Sequence, residues 1–394
     1  MMLRVLSSLF CSSLLCASLL FAQQPRLEHA WDLLAKGQRS EAVHFLHDLI
    51  KANPRDANAH LLLGSVLMEQ GERSESIAQL TEAVRLLPNS ARAQNALGEA
   101  FSKFGDLDAA RKAFEKAAEL DPRYAPAQVN LGRALVESGQ FSQASPHLDR
   151  AIQLLGQRPD AAYPHYLRAK IYSEGRQVER AAAELRRAIS LQPDFAEAWS
   201  DLGSARKILL DDAGALAAFE KAVRFAPNDP VARERLGSEL LSQGNAQEAV
   251  PHLEEAVRLD GQNQTALYNL QRALLIDGHS EEAATIKMKL TALLREKDQA
   301  DQRAVLAIQL NNQGAALEKA GKLPEALEKY QTATQLDPDH IGIRLNLAAA
   351  LLRLGQWSQG IAELREVLRR DPENPDAKKA LDQALAQGPS KAPW

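Results

Sequence analysis

The stretch LGEAFSKFGDLDAARKAFEKAAELDP, Leu97 to Pro122, decides the fold. It holds two runs with apolar residues at three- and four-residue spacing, the signature of two amphipathic helices. Between them, Gly105 is placed to take the left-handed conformation that ends the first helix, and Asp106 to cap the second. Pro122 stops the second helix, because proline has no N–H to continue the ladder. Gly98, Ala110 and Ala117 put small residues where a helix normally shows a large side chain.

The pattern recurs. Pro54, Pro88 and Pro122 are spaced by 34 residues, as are Pro193 and Pro227, and Pro338 and Pro372. A fixed period of this length is the mark of a helical solenoid. Ten frames result: 23–56, 57–90, 91–124, 125–161, 162–195, 196–229, 230–263, 264–306, 307–340 and 341–374. The fourth is longer by three residues and the eighth by nine, 298–306 being an insertion after a regular 264–297. Position 8 is small in nine frames, including Gly64, Gly98, Gly132, Gly203, Gly237 and Gly314. Position 20 is small in all ten, including Ala110, Ala144, Ala215 and Ala249. Position 24 is large and apolar in every frame but the eighth, where it is Lys287, and position 15 is glycine in eight. Small residues at 8 and 20 are expected to let the two helices of a pair approach closely.

These residues closely resemble the tetratricopeptide repeat. The frame beginning AEAWSDLGSA supplies Trp199, Leu202 and Gly203, then Ala215, Phe219, Ala222 and Pro227. The resemblance covers nearly the whole chain after Ala22. It implies an all-α fold: a right-handed α-solenoid of about ten helix-turn-helix repeats, 23–297 and 307–374. A helical spacer is expected at 298–306, since no glycine or proline occurs from His279 to Gln313 and REKDQADQR (295–303) is strongly polar. DAKKALDQALAQ reads as a capping helix, with GPSKAPW a loose tail, so 375–394 closes the array.

The first 22 residues stand apart. MMLRVLSSLFCSSLLCASLLFA has one charge, Arg4, then an uncharged apolar run, the layout of a secretory signal peptide cut after Ala22. Both cysteines, Cys11 and Cys16, fall inside it, leaving an exported, periplasmic or secreted chain without thiols; an uncleaved leader would instead be a membrane anchor.

No catalytic motif is present: no GxSxG, HExxH, Walker loop or CxxC. The expectation is a non-enzyme with no cofactor and no metal. His44 and His47 share a helix face without a third ligand, and His147 and His252, each after a proline at the same repeat position, are part of the repeat. A net charge of −4 across 394 residues argues against a general nucleic-acid binder.

The resemblance implies a concave groove lined by the first helix of each repeat, at about its second, fifth, ninth and twelfth positions, that receives a protein or peptide. Mapped onto this chain, those positions give Arg92, Asn95, Glu99, Arg133, Tyr163, Tyr166 and Lys170, with Tyr268 and Arg272 as a second candidate patch. Tyrosine and arginine suit such a surface because they join large contact area to directed hydrogen bonds. The lysine that chaperone adaptors use at position 5 to hold a C-terminal carboxylate is missing from every frame, so that subtype is not expected. The function read from these features is a protein-interaction scaffold. A membrane-tethered envelope-assembly factor and an accessory subunit of a separate enzyme, such as a glycosyltransferase, are the alternatives.

Overall fold

The computed structural model describes residues 25–372 and 374–387. The leader-like segment 1–22, with both cysteines, and the tail 388–394 lie outside the described residues. Twenty α-helices, one short 3-10 turn and no strand are found among the described residues, so the protein is an all-α solenoid. The chain divides into two compact units, the first ending at Ala283 and the second beginning at Ala284.

In the first unit the helices come in pairs: α1 Pro25–Ala35 with α2 Arg39–Ala52, α3 Ala57–Gln70 with α4 Arg73–Leu86, and α5 Ala91–Lys103 with α6 Leu107–Leu120. They continue as α7 Ala125–Glu137 with α8 Phe141–Leu155, and α9 Ala162–Glu174 with α10 Val178–Leu191. After these come α11 Ala196–Ile208 with α12 Asp212–Phe225, α13 Pro230–Ser242 with α14 Ala246–Leu259, and α15 Gln264–Ile276. A 3-10 turn, Pro159–Ala161, fills the longer loop of the fourth repeat. The long helix α16 runs from Ser280 to Lys319, and the 298–306 spacer expected from sequence lies within it. Its residues 294–303 are exposed on every side, in keeping with their polar composition. The second unit continues with α17 Leu323–Leu336, α18 Ile341–Arg353, α19 Trp357–Arg370 and α20 Pro375–Gln387.

Local chemistry sets these boundaries. Gly105 ends α5 at φ +86°, and the next amide, Asp106 N–H, bonds back to the Phe101 carbonyl at 2.9 Å. The Asp106 side chain then accepts from Ala109 N–H at 3.1 Å and caps α6. The fifth and sixth repeats keep this turn without glycine: Arg176 and Leu210 occupy position 15 at φ 55° and 62°.

In six of the repeats, a glycine at position 8 of the first helix meets position 24 of the second. A β-carbon placed on Gly98 would lie 2.6 Å from the Phe114 ring and 3.2 Å from the Ala110 carbonyl oxygen. The same clash arises at Gly64 with Leu80, Gly132 with Leu148, Gly203 with Phe219, Gly237 with Leu253 and Gly314 with Tyr330, all at 2.5–2.7 Å. The glycine is therefore the socket for one large side chain, and Phe114 sits in it fully buried. Position 20 supplies the adjoining wall: Ala110 and Ala144 are buried, and Ser76 donates its hydroxyl to the Gly64 carbonyl at 2.8 Å.

Position 4 fastens one repeat to the one before. His60 Nε2 lies 3.1 Å from the Pro54 carbonyl, and Trp199, Arg233 and Arg344 donate to the carbonyls of Pro193, Pro227 and Pro338 at 2.8, 2.9 and 2.8 Å. The same side chain also reaches position 23 of its own repeat, as in Gln128 with His147 at 2.7 Å and Arg233 with His252 at 3.1 Å. His147 and His252 are thus structural members of the repeat.

Two stability changes follow, of opposite sign. Gly98→Leu forces the α5–α6 pair apart and is expected to cost about 1–3 kcal/mol in urea unfolding; an unchanged midpoint would contradict the socket. Leu210→Gly relieves a left-handed leucine, a strain of roughly 1–2 kcal/mol, against which glycine gives back about 0.5–1 kcal/mol of chain entropy. A small rise in Tm is expected, and a fall would show that the turn carries no such strain.

Candidate binding surface on the first helices

The first helices touch one another as well as their partners. In the first unit α3 contacts α5, α5 contacts α7 and α7 contacts α9; further on, α11 contacts α13 and α13 contacts α15. No contact of that extent joins two second helices among the described residues. In the first unit the first helices therefore form a row, from α3 to α9 and from α11 to α15, that the second helices do not share.

Four of the sequence candidates come together on this row. Asn95, on α5, is buried and donates its amide to Glu99 at 2.9 Å. Asn130, on α7, donates to both Asn95 and Glu99, at 3.0 and 3.1 Å. Arg133 reaches back to the Ser102 hydroxyl at 3.3 Å and lies 3.6 Å from Glu137. Arg92 is half-buried, with Glu99 and Tyr124 as its electrostatic neighbours. Burial pushes the Glu99 carboxyl above the ordinary carboxylate range, only partly opposed by the two asparagine bonds and by Arg133 and Arg92.

Tyr163, Tyr166 and Lys170 form a second group, on α9. The two tyrosines stack with centroids 6.2 Å apart, and Tyr166 packs on Phe195 at 4.9 Å. Tyr163 packs against the apolar clusters on both sides of it, so it is part of the core as well as of the surface. Its phenol is pushed up to about 12 by burial, with Arg133 pulling the other way. The Tyr166 phenol is raised further, by burial and then by the charge of Asp201. Lys170 is exposed, its ammonium 5.7 Å from the Tyr166 centroid. The remaining pair sits on α15: Tyr268 is half-exposed with the Arg272 guanidinium 5.7 Å from its ring.

Position 6, absent from the sequence candidates, carries the contacts between repeats on this row. Besides Asn130, Arg235 donates to Ser200 at 2.8 Å and Asp201 at 2.9 Å, Asn269 donates to Ser238 at 2.7 Å, and in the second unit Asn346 donates to Asn311 at 2.9 Å. Each joins position 6 of one repeat to position 5, 6 or 9 of the repeat before. The available signal was a polar residue recurring at position 6 beside the apolar stripe. Buried Glu239 adds a similar tie, receiving Lys207 from α11 and Gln243 from its own repeat. Elsewhere, His47 lies 3.2 Å from Glu75, and no group of three potential metal ligands occurs among the described residues.

The raised Glu99 gives a signed pH effect. The folded state holds its proton more tightly than the unfolded chain, so stability falls as pH rises from the usual glutamate range through the raised value. Glu99→Gln removes that loss. Its Tm is expected to exceed the wild type at pH 8 and to converge with it near pH 4; a constant difference across that range would contradict the assignment.

A tetratricopeptide repeat family model matches residues 27–72, 64–125, 166–230 and 234–306, and a second model of the same description matches 103–171 and 317–390. No curated protein sequence matches the chain. Among solved structures, it is similar to Pseudomonas aeruginosa pilF, at 21% identity over 52% of this chain and 91% of that one, with a TM-score of 0.47. It is similar to a tetratricopeptide repeat protein from Parabacteroides merdae, at 15% identity over 63% and 97%, TM-score 0.49. A third, YrrB, described as a TPR protein with an unusual peptide-binding site, shares 21% identity over 48% and 95%, TM-score 0.39. With two models of one description covering nearly all of 27–390 and the helix pairs that each repeat demands, the chain belongs to the tetratricopeptide repeat family.

Proposed function

We propose that the protein is a non-enzymatic scaffold that binds an extended peptide or a protein surface along its row of first helices. The observation that carries this reading is the cross-linking of that row by position 6. Side chains of neighbouring repeats are held by one another before any partner arrives, so less ordering is lost on binding. Between the held groups, Lys170, Tyr268 and Arg272 stand at the surface, where aromatic and cationic groups give the largest contact energies. Several modest contacts along stacked repeats then add up to useful affinity. The leader-like residues 1–22 support an exported, periplasmic or secreted location, with cleavage after Ala22.

The test is affinity capture from an envelope extract, comparing wild type with Lys170→Glu/Tyr268→Ala. Both positions are exposed, so Tm is expected to hold, while recovery of captured proteins falls by at least about tenfold. Equal recovery from the double variant, with loss instead on Arg85→Glu of the second helix α4, would move the binding surface to the second helices. Mass spectrometry of the exported form is expected to find Gln23 at the N-terminus; a chain beginning at Met1 would make the leader an anchor.

A further inference from the structure

The middle of α16 is held by little besides its own backbone. No residue from 284 to 306 is buried, and no other helix has a run half that length without a buried side chain. Residues 294–303 are exposed on every side. Their side-chain bonds stay within one turn of the same helix: Gln302 donates to Asp298 at 2.9 Å, and Arg303 to the Gln299 carbonyl at 3.3 Å. Arg295, Glu296, Lys297, Asp298, Asp301 and Arg303 form no ion pair among the described residues.

Such a stretch has little reason to stay helical. In a protein most helical stability comes from packing an apolar face, and a helix polar all round lacks that face. The charge order adds little: Lys297 and Asp301 are four apart with the cation first, the weaker of the two arrangements. A segment with few buried contacts and solvent-exposed backbone bonds opens locally while the rest stays folded. The turns between helices differ. Each joins two packed helices across a few residues, and bonds such as Asp106 N–H to the Phe101 carbonyl fix its path.

A protease acts on the transiently opened form of a chain, so the bonds it reaches first lie where opening is easiest. Three cations stand in this stretch: Arg295, Lys297 and Arg303.

We infer that 294–303 is a cleavage site for an endoprotease that reads a lysine or arginine side chain. The stretch opens while the helices before and after it stay folded. Water then adds across the bond after Arg295, Lys297 or Arg303, leaving a carboxylate on that residue and a free amine on the next. One product keeps the whole of the first unit, and the other keeps α17 to α20. For a scaffold whose contacts add along its repeats, that one bond sets how many repeats act together.

Limited digestion of the full native chain with trypsin, followed by mass spectrometry, reads the site without a ligand. The first new N-termini are expected at Glu296, Asp298 or Ala304. Both products are expected to persist while the bonds after Arg39, Arg73 and Arg176, at the turns, stay whole. Gln299→Gly, at an exposed position, weakens the helix without disturbing packing and is expected to speed the first cut about fivefold. Gly98→Leu loosens a helix pair elsewhere in the chain and is expected to leave that rate unchanged, because the opening is local. First cuts at the turns overturn the inference, as does a chain that stays whole under conditions that digest it fully in urea. No acceleration by Gln299→Gly also overturns it, as does equal acceleration by both variants, which would make the opening global.

Discussion

One contact governs this protein: a large side chain from the second helix of a repeat seated on a glycine of the first. Phe114 on Gly98, Phe219 on Gly203 and Tyr330 on Gly314 are the same arrangement repeated, and Leu80, Leu148 and Leu253 are its aliphatic form. Burying such a side chain contributes about 1.5–3 kcal/mol. Placing glycine in a helix interior costs about 1 kcal/mol against alanine. The burial exceeds the glycine penalty; in three further repeats Ala30, Ala169 and Ala348 take the place of glycine and share a buried cluster with Leu46, Leu185 and Leu364.

What the pairs cannot do alone is align with one another. Two polar devices do this. On one side, position 4 holds the proline carbonyl that ends the preceding repeat, a group that has lost its place in a helix and needs a donor. The donor varies among histidine, tryptophan and arginine, yet the acceptor is constant. On the other side, position 6 reaches the preceding first helix, as Asn130 does to Asn95 and Glu99. The second device lies on the row proposed to bind a partner, so the bonds that align the repeats also fix the groups a ligand meets. Glu99 shows the cost: a carboxyl held half-buried on this row titrates above its usual range because burial outweighs the bonds it receives.

Much of the fold was legible in the sequence because each repeat states the same rule at the same place. Glycine at position 8 and a large residue at position 24 recur at fixed spacing, and the helical pairing follows from period alone. Small residues at 8 and 20 suggest close approach of two axes; that a ring from position 24 fills the gap at position 8 emerges only once the two helices are folded together. Arg176 and Leu210 broke the glycine rule in sequence while the turn they form did not change, since the repeats on either side fix its path. The surface was less legible. Tyr163 looked like a groove residue and is also a core residue, because burial depends on neighbours about 30 residues away such as Phe195. The position-6 bonds were hidden for the same reason: donor and acceptor lie 31 to 35 residues apart, and neither is unusual alone.

The most direct test of the socket is the sign of one substitution in two backgrounds. In the wild-type chain, Gly98→Ala puts a methyl group against the Phe114 ring and is expected to lower stability in urea unfolding. In a Phe114→Ala background the ring is gone, and the same change is expected to raise stability by up to about 1 kcal/mol through helix propensity. A change of the same sign and size in both backgrounds would mean that glycine and ring do not fit one another, and the socket could not be what closes each helix pair.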